Sequence, residues 1–270
     1  MNDLAIFVDS YDANSDLWDN VFSIMDYYWK ECCFQKYLVT NSRQYAKHNV
    51  KAIPVGKDTD WLVCTLKGLK QIEEPYVFFM FEDYYFSKAV TNDQFISIIH
   101  RMKKDSIFFY RLSLINGLDK SKTAVPVSKD FPYVINLQPA IWKKDILIQF
   151  LEEMRKEGVS TPWQFEFYFI DRQAKGNLPA TNGMVEGVLY DTRDIIGYQN
   201  AIIQGKWVRG VVKRYKNNHK IPFTTGNRPY MSAKDEIWDS VKQFGHKIIP
   251  YRQRERIKKF LRRINIKFMR

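Results

Sequence analysis

The sequence predicts an α/β fold in which a mixed, mostly parallel sheet is flanked by helices. Over the first 110 residues, short apolar segments alternate with segments whose apolar residues recur at helical spacing, and this alternation is typical of a parallel sheet. Residues 76–81 form an unbroken apolar run that Pro75 precedes, as expected of a strand buried on both faces. A hydrophobic content of 45% over 270 residues allows a large core.

The first half of the chain gives clear signals for its elements. A strand over 4–12 ends in polar residues, and a helix over 17–30 follows, with candidate caps at Asn14, Ser15 and Asp16. Further strands are predicted over 36–42, 50–56 and 76–81. A helix over 58–72 opens with Asp and Thr caps, and a helix over 92–104 is capped by Thr91 or Asn92.

The second half of the chain gives weaker signals. Strands are predicted over 106–114 and 133–141, and helices over 143–156 and 161–173, the last with Pro162 in its first turn. The stretch 174–230 is richer in Gly, Asn and Pro and is predicted to be mostly loop. Because we find no repeat and no low-complexity linker, we expect one domain over 1–250, with halves 1–115 and 116–250, and a basic helix over 251–270.

Positive charge is concentrated at one end of the chain. The net charge is +12, and residues 252–270 contain nine Lys or Arg and one Glu, which leaves +4 for the rest. The body therefore has an ordinary globular surface, and we expect no nucleic acid as a partner. The three cysteines show no metal-type spacing, and the first residues carry acids instead of a basic signal region. A reducing cytoplasm is the expected location.

Two predicted strands end in polar and acidic residues. Asp9, Ser10 and Tyr11 end the first strand, and Glu82 and Asp83 follow the buried strand over 76–81. Ligands of open α/β sheets bind at the carboxyl ends of the strands, and unpaired buried charge is costly. We therefore expect Tyr11 to stack on a planar base and Glu82–Asp83 to face a diphosphate, directly or through a divalent cation. Solvated strand ends are the alternative.

Several common nucleotide-binding and hydrolase signatures are absent from the sequence. No Gly-x-Gly-x-x-Gly follows the first strand, and no Gly-x-x-x-x-Gly-Lys-Ser/Thr occurs, which disfavours a dinucleotide site and excludes an ATPase of the P-loop type. There is also no Gly-x-Ser-x-Gly elbow of the hydrolase kind.

The order of elements resembles the nucleotide-binding half of GT-A-type glycosyltransferases, which have a Rossmann-like sheet. The resemblance rests on VDSYD at 8–12, DTDWLVCTLKGL at 58–69 and PYVFFMFEDYYF at 75–86, and it is closest to small bacterial enzymes of capsule and O-antigen clusters. It implies a nucleotide-diphosphate sugar as the donor. The donor-binding residues that the resemblance implies are Asp9, Ser10, Tyr11, Asp60, Lys67, Glu82, Asp83, Lys206 and Arg209.

The acidic motif departs from that of the family. Family members carry Asp-x-Asp after the buried strand and use it to bind a metal, whereas this chain has Phe81-Glu82-Asp83-Tyr84. Glu82 and Asp83 are therefore the metal ligands that the resemblance implies, for Mn²⁺ or Mg²⁺. If Asp83 takes the metal position, the second acidic position falls on Phe81 or Tyr85. Either fewer carboxylates hold the metal, or cationic side chains replace it.

The second half of the chain offers an acceptor side. The segment STPWQFEFYFI at 160–170 resembles the stretch in which inverting members of the family carry an acidic base near a Trp. This implies Glu166 as the base, with Asp171 as the second candidate, and the base would remove a proton from an acceptor hydroxyl. Lys206 and Arg209, in the basic segment 200–215, are expected to close over the diphosphate.

Two other classes of function remain open. A basic nucleic-acid-binding protein is compatible with the net charge and with the aromatic content of 16%, although the charge lies at one end of the chain. A nucleotidyltransferase or phosphotransferase that uses the same carboxylates would need more than one convincing metal carboxylate near the fourth strand, and the sequence offers a single acidic pair there.

The basic segment 252–270 has the pattern of an amphipathic helix. Its apolar residues recur at spacings of three and four, and cations occupy the flanks and the opposite side. This pattern is typical of a helix that lies in a membrane interface over anionic headgroups. We expect peripheral binding to the inner face of the cytoplasmic membrane, which would suit a lipid-linked or oligosaccharide acceptor. The alternative is a helix packed on the domain through the same apolar residues.

Overall fold

The computed structural model describes residues 3–57, 60–113, 118–131 and 133–236. Its strands are short, and only β10 exceeds six residues. In chain order they are β1 (Leu4–Asp9), β2 (Gln35–Thr40), β3 (Val50–Pro54), β4 (Tyr76–Phe81), β5 (Tyr84–Tyr85), β6 (Phe109–Arg111), β7 (Ala124–Ser128), β8 (Ala140–Lys143), β9 (Ala180–Thr181), β10 (Met184–Asp191), β11 (Gln199–Asn200), β12 (Ile202–Ile203) and β13 (Lys206–Trp207).

Nine of these strands form one central sheet. Its order is β3-β2-β1-β4-β8-β6-β10-β7, and β9 pairs with β10 outside this path. Strands β3, β2, β1 and β4 pair in parallel, and so do β6 and β10, while β8 lies antiparallel between β4 and β6. Six strands therefore run in one direction, which confirms the predicted mixed, mostly parallel sheet. Their carboxyl ends meet at one edge.

Helices cover both faces of the sheet. They are α1 (Trp18–Tyr28), α2 (Trp61–Leu69), α3 (Asn92–Lys104), α4 (Lys144–Lys156), α5 (Pro162–Ala174) and α6 (Arg209–Lys216). Alternate residues of β1 enter two separate cores: Ile6 packs in the core that contains α1 and α3, and Phe7 in the core that contains α2, α4 and α5. This division follows from the period of two in a strand.

The helix starts that the sequence predicts are confirmed at α3 and α5. Thr91 and Thr161 each form a capping box with the residue three positions later, Gln94 and Gln164, so two otherwise unpaired N–H groups are satisfied at each end. Pro162 occupies the first turn of α5, as predicted. Both helices therefore begin at positions that local chemistry fixes.

The caps predicted for the first helix are wrong, although its start is confirmed within one residue. Helix α1 begins at Trp18. Residues Asp12–Leu17 form a 3-10 helix before it, so the three candidate caps lie inside a helical turn. The carboxylate of Asp12 instead accepts hydrogen bonds from the backbone N–H groups of Asn41, Ser42 and Arg43. A tertiary contact with the loop after β2 thus replaces the local cap.

One prediction for the second half needs correction, and one misses an element. The strand predicted over 133–141 begins only at Ala140, because Asn136 closes a local turn through Tyr133 O and Gln138 N–H. The stretch 174–230 is mostly loop, as predicted, but it also contains the eight-residue strand β10 within the sheet. Gly187 adopts a φ of 70°, and the pairing register with β7 shifts around it. This irregularity hides the alternation that predicts a strand.

The remaining structural predictions concern the ends of the chain. None of the helices in the described ranges is long and apolar enough to cross a bilayer. The basic helix predicted over 251–270 lies outside the described residues. The division of the chain at residue 250, and that of the first 250 residues into two halves, stay predictions.

Candidate active site

Asp9 lies at the end of β1, beside Phe81 of β4 in the register of the sheet. Its Oδ2 accepts hydrogen bonds from Trp61 Nε1 at 2.6 Å and Thr65 Oγ1 at 2.8 Å, both on α2. Burial raises the pKa of Asp9 to about 7, because desolvation outweighs these two donors, and the charge of Glu82 adds to the rise. Asp9 therefore fixes α2 to the edge of the sheet, and its buried carboxylate is engaged by the protein itself.

The two residues after Asp9 differ sharply in exposure. The Ser10 hydroxyl is buried and accepts a hydrogen bond from Trp18 Nε1 at 2.8 Å. Tyr11 is 51% exposed. Of the three residues predicted at this strand end, Tyr11 is the one whose ring is open to a stacking ligand.

Glu82 is held by protein donors at the end of β4. One of its oxygens accepts a short hydrogen bond from Asn14 Nδ2, and the Ser10 hydroxyl donates to it as well. Burial raises the pKa of Glu82 above its usual range, against these donors and the charge of Arg228. Glu82 is thus a buried, hydrogen-bonded acid and not a solvated strand end.

Asp83 lies next to Glu82 in a different environment. Its backbone carbonyl accepts a hydrogen bond from Ala201 N–H at 2.9 Å, which fixes the turn between β4 and β5. Burial raises the pKa of the Asp83 carboxyl well above its usual range, and the charge of Glu82 raises it further. The raised pKa values of these two adjacent acids favour their neutral forms, and a bound cation or hydrogen-bond donor would favour ionisation.

Arg228 supplies positive charge beside this acid pair. Its guanidinium donates to both carboxylate oxygens of Asp16, at 2.6 and 2.8 Å, and to Asn14 Oδ1 at 2.6 Å. Since Asn14 donates in turn to Glu82, a continuous hydrogen-bonded chain joins Arg228 to the acid pair. The charge of Arg228 lowers the pKa of both Glu82 and Asp83.

Glu166 lies on α5, on the other side of the site. Its side chain accepts a hydrogen bond from the backbone N–H of Leu137, and burial raises its pKa above the usual range. The charge of Arg111, at the end of β6, opposes that rise. The helix that carries Glu166 packs edge-on against α2 through Phe165 and Trp61, whose ring centroids are 6.0 Å apart.

Arg111 is a buried cation with neutral bonding partners. It is 7% exposed; its Nε donates to Ser113 Oγ at 2.7 Å and its Nη2 to Gln138 Oε1, and its guanidinium lies 5.1 Å from the ring centroid of Tyr190. Across the described ranges it forms no ion pair within 4 Å. The charge of Arg111 lowers the pKa of the Glu166 carboxyl, against the effect of burial.

Two tyrosines join the acid pair to Glu166. The rings of Tyr84 and Tyr198 meet edge to face, with centroids 4.8 Å apart. After burial, the negative charges of Asp83 and Glu166 are among the causes that raise the pKa of each phenol. The charges of Asp83 and Glu166 thus both affect these two hydroxyl groups. Contacts also connect the two sides, since Phe165, next to Glu166, packs on Trp61, which donates to Asp9.

Five other predicted site residues are engaged elsewhere. Asp60 caps α2 by accepting from Leu62 N–H at 2.9 Å, and Lys67 Nζ lies 3.3 Å from the carbonyl of Val55. Asp171 is exposed and pairs with Lys175 on α5 at 2.6 Å, so its carboxylate lies at the surface and not among the buried acids. The side chains of Asp60, Lys67 and Asp171 are thus engaged by partners outside the acid pair.

Lys206 and Arg209 make contacts outside the acid pair. Lys206 Nζ lies 3.8 Å from Asp235 Oδ2. The Arg209 guanidinium donates to the carbonyl of Met231 at 2.9 Å and lies over the ring of Tyr230. In this structure the charged groups of Lys206 and Arg209 contact the segment 230–236. That these two cations close over a diphosphate stays a prediction. Arg228 is the cation whose charge acts on the acid pair.

The sequence contained a signal for one of the two arginines that we missed. Arg111 ends an apolar strand as Glu82 and Asp83 do, so the same rule about strand ends applies to it. Arg228 has no local signal, because its partner Asp16 lies 212 positions away in the chain. Only the tertiary fold brings those two residues together.

Glu82 and Asp83 offer only some of the ligands that a divalent cation needs. No group of three or more His, Cys, Asp or Glu that could hold a metal occurs among the residues that the structure describes. Glu82 already accepts hydrogen bonds from Asn14 and Ser10. Asp83 is the carboxylate better suited to bind a cation together with phosphate oxygens and water, as hard cations with few protein ligands are bound.

Comparison with known proteins gives fold-level matches only. No family model matches the sequence. No curated protein matches it either. Among solved structures, a TarS fragment of S. aureus matches with a TM-score of 0.41 and 14% identity, over 71% of this chain and 60% of that one. The same fragment in complex with UDP-GlcNAc matches with a TM-score of 0.38 and 15% identity, over 55% of this chain and 47% of that one.

A nucleotidyltransferase also appears among the matches. The 2-C-methyl-D-erythritol 4-phosphate cytidylyltransferase of Thermus thermophilus matches with a TM-score of 0.39 and 9% identity, over 62% of this chain and 85% of that one. The chain spans 30% to 60% of the length of the TarS chains that it matches. The function must accordingly be argued from the side chains of the site.

Proposed function

We propose that the protein is a glycosyltransferase that moves a sugar from a nucleotide-diphosphate donor to a hydroxyl group of a glycan acceptor. The observation that carries this proposal is the separation of two acidic functions within one site. Glu82 and Asp83 directly follow β4, beside the end of β1, and Glu166 lies on α5. The Tyr84–Tyr198 pair lies between them, since the charges of Asp83 and Glu166 both affect its hydroxyl groups. A sugar transferase needs a binding side for the leaving diphosphate and a base for the acceptor.

Glu166 is suited to the role of base. The N–H of Leu137 orients its carboxylate, and the charge of Arg111 favours the ionised form that can accept a proton. The proton of the acceptor hydroxyl passes to Glu166 as the acceptor oxygen forms its bond to the anomeric carbon. The bond from that carbon to the phosphate oxygen breaks, and its electron pair leaves with the nucleoside diphosphate.

The leaving diphosphate requires positive charge near the acid pair. Arg228 is the protein cation whose charge acts there, and Tyr11 offers an exposed ring for the base of the nucleotide. Mn²⁺ or Mg²⁺ held by Asp83, with Glu82 in support, would neutralise the diphosphate when bound. Positive charge from Arg228 or from a divalent cation at Asp83 would each be compatible with the sequence Phe81-Glu82-Asp83-Tyr84, which replaces the Asp-x-Asp motif.

The expected acceptor is a lipid-linked or oligosaccharide chain of a bacterial surface polysaccharide, as in capsule and O-antigen synthesis. The support for this part of the proposal is the cationic amphipathic pattern of 252–270, which would place the enzyme peripherally on the inner face of the cytoplasmic membrane.

A screen of nucleotide sugars tests the proposal. The wild-type protein is mixed with UDP-, GDP-, dTDP- and CMP-sugars, with and without Mn²⁺, and thermal stability and release of the nucleotide are measured. We expect one donor to raise the melting temperature and to be turned over. Asp83→Asn should abolish turnover, because it removes the carboxylate that faces the donor diphosphate. The variant should keep the fold, because the site already favours a neutral side chain at this position.

Exposed Asp171→Asn, on α5, is the matched control and should behave as the wild type. The proposal fails if no nucleotide sugar is bound or turned over, or if Asp83→Asn retains near-normal turnover of the true donor. Release of pyrophosphate from a nucleoside triphosphate would favour a nucleotidyltransferase instead.

A further inference from the structure

Helix α5 exposes two large aromatic side chains. Trp163 is 75% exposed and Phe167 is 65% exposed, and they are four residues apart, so their rings are neighbours on one face. In the described part of the chain, only three other large hydrophobic side chains are exposed, at Tyr11, Ile96 and Met184. Two of the five thus lie one turn apart on a single helix.

The orientation of α5 is fixed, so this pair cannot turn into the core. The capping box at Thr161 sets the start of the helix. A second aromatic pair with the same spacing, Phe165 and Phe169, is buried, with ring centroids 5.1 Å apart. Because one aromatic pair already fills the core, Trp163 and Phe167 add nothing to it and remain in contact with solvent, which favours a ligand as their partner.

Glu166 borders the exposed pair on the surface of α5. It lies three residues after Trp163 and Phe167 lies four residues after Trp163, so Trp163 is the neighbour of both. The Glu166 side chain is half-buried and accepts a hydrogen bond from the N–H of Leu137. An exposed indole ring therefore lies between a second exposed ring and a hydrogen-bond acceptor of the candidate active site.

This arrangement matches the chemistry of a sugar ring. A pyranose has apolar C–H faces, which stack on aromatic rings, and hydroxyl groups at its edge, which donate to carboxylates. Ligand sites combine aromatic walls with a few placed polar groups in this way. We propose that Trp163 and Phe167 form the acceptor subsite, with a saccharide stacked on their rings and one of its hydroxyl groups directed at Glu166. This inference rests on the proposed function and adds the residues that bind its acceptor.

The charge of α5 argues against a membrane as the partner of this face. The helix carries Glu166, Asp171 and Arg172 as its charged residues, which is a net charge of −1. Aromatic side chains that enter an anionic bilayer are usually accompanied by cations on the same helix. A carboxylate beside Trp163 would oppose insertion, whereas it favours a ligand rich in hydroxyl groups.

The test measures binding of saccharides without any donor. An array of bacterial polysaccharide fragments is probed with the wild type, Trp163→Ala, Phe167→Ala, the double variant and Trp163→Phe. Each alanine variant should bind the retained saccharide about tenfold more weakly, as expected for the loss of one aromatic contact, and Trp163→Phe should recover most of the affinity. Ile96→Ala, which removes an exposed hydrophobic side chain from α3, is the matched control and should not change binding.

Other outcomes separate this inference from the proposed function. If the double variant binds the same saccharide as tightly as the wild type, or if the wild type turns over a donor but retains no saccharide, the inference is wrong. If saccharides bind through the aromatic pair and no nucleotide sugar is turned over, the subsite stands and the proposed function fails. Loss of sedimentation with phosphatidylglycerol vesicles in the double variant, without any change in saccharide binding, would identify a membrane contact and overturn the inference.

Discussion

At the scale of residues, the site is a set of buried carboxyl groups whose environments differ. Asp9 is held by two donors of α2, Glu82 by Asn14 and Ser10, and Asp83 adjoins the Tyr84–Tyr198 pair. Burial raises the pKa of each of these carboxyl groups. A buried carboxyl group stays neutral unless a nearby positive charge or hydrogen-bond donors stabilise its ionised form. We therefore expect the charge of a bound ligand to decide which of these three carboxyl groups ionise.

Glu166 allows a prediction about the pH dependence of the reaction. A base must be ionised, so the catalytic rate should rise with pH as Glu166 loses its proton. Because burial raises its folded pKa, this rise should lie above the usual range of a glutamate. Glu166→Gln should lower the rate by about 10²- to 10⁴-fold and remove this limb of the profile, and pH-dependent kinetics measure both effects.

The matched control for this variant is Asp171→Asn, which changes an exposed carboxylate on the same helix. It should retain both the rate and the pH limb of the wild type. A Glu166→Gln enzyme that keeps the rate constant but binds the donor more weakly would contradict the role of base and give Glu166 a binding role instead.

At the scale of elements, the contact of α2 with the sheet depends on a glycine. A Cβ atom on Gly68 would lie 2.8 Å from Val39 Cγ2 and 3.1 Å from Phe7 Cζ, both on buried strand residues. The absence of a side chain there lets α2 approach β1 and β2 closely. The same helix carries Trp61 and Thr65, so this approach also positions the donors of Asp9.

Two glycine-to-alanine substitutions should have opposite effects on stability. Gly68→Ala should lower the free energy of unfolding by about 1–3 kcal/mol, because the new methyl group overpacks the interface between helix and sheet. A methyl group on Gly210, in α6, would meet no atom within 4 Å outside its own helix, so Gly210→Ala should raise that free energy by about 0.5–1 kcal/mol. Urea unfolding measures both, and a stabilised Gly68→Ala would contradict the close packing.

The sequence predicted those elements that local chemistry determines. The buried strand β4 and the helices α3, α4 and α5 have clear periodicity and caps, and the structure confirms them within one or two residues. Strand β10 was missed because a glycine with positive φ interrupts its pattern. Elements whose form depends on a distant partner gave no comparable signal.

The candidate site was predictable to a similar degree. Strand ends directed attention to Glu82 and Asp83, and the structure places Glu166 in the same site, although its role as a base stays a prediction. Lys206 and Arg209, the cations that the sequence suggested, contact the segment 230–236 in the structure, because a cluster of Lys and Arg in the sequence does not tell which charge the fold brings to the acids. Arg228 reaches them only through Asn14 and the 3-10 helix.

At the scale of the whole molecule, the basic segment 252–270 is predicted to bind the protein to an anionic membrane surface. Deletion of residues 252–270 should release the protein from phosphatidylglycerol vesicles, because it removes eight net positive charges, each worth about 1 kcal/mol near such a surface. Activity on a short soluble acceptor should persist. Vesicle sedimentation and kinetics measure the two effects.

Neutral phosphatidylcholine vesicles are the control for the tail, and neither protein should sediment with them. If the truncated protein sediments with anionic vesicles as well as the full chain does, the segment is not the anchor. If the truncated protein unfolds, the alternative of a helix packed on the domain is favoured.

The position of β8 has a consequence for synthesis on the ribosome. Strands β1 to β4 leave the ribosome early and can pair in parallel, but the free edge of β4 is covered only by residues 140–143. Until then, a six-residue apolar strand presents unpaired N–H and C=O groups. At about 5–20 residues per second, this exposure lasts for several seconds. The nascent chain is thus most prone to aggregation while residues 82–143 are being made. This is the interval in which a chaperone would protect it.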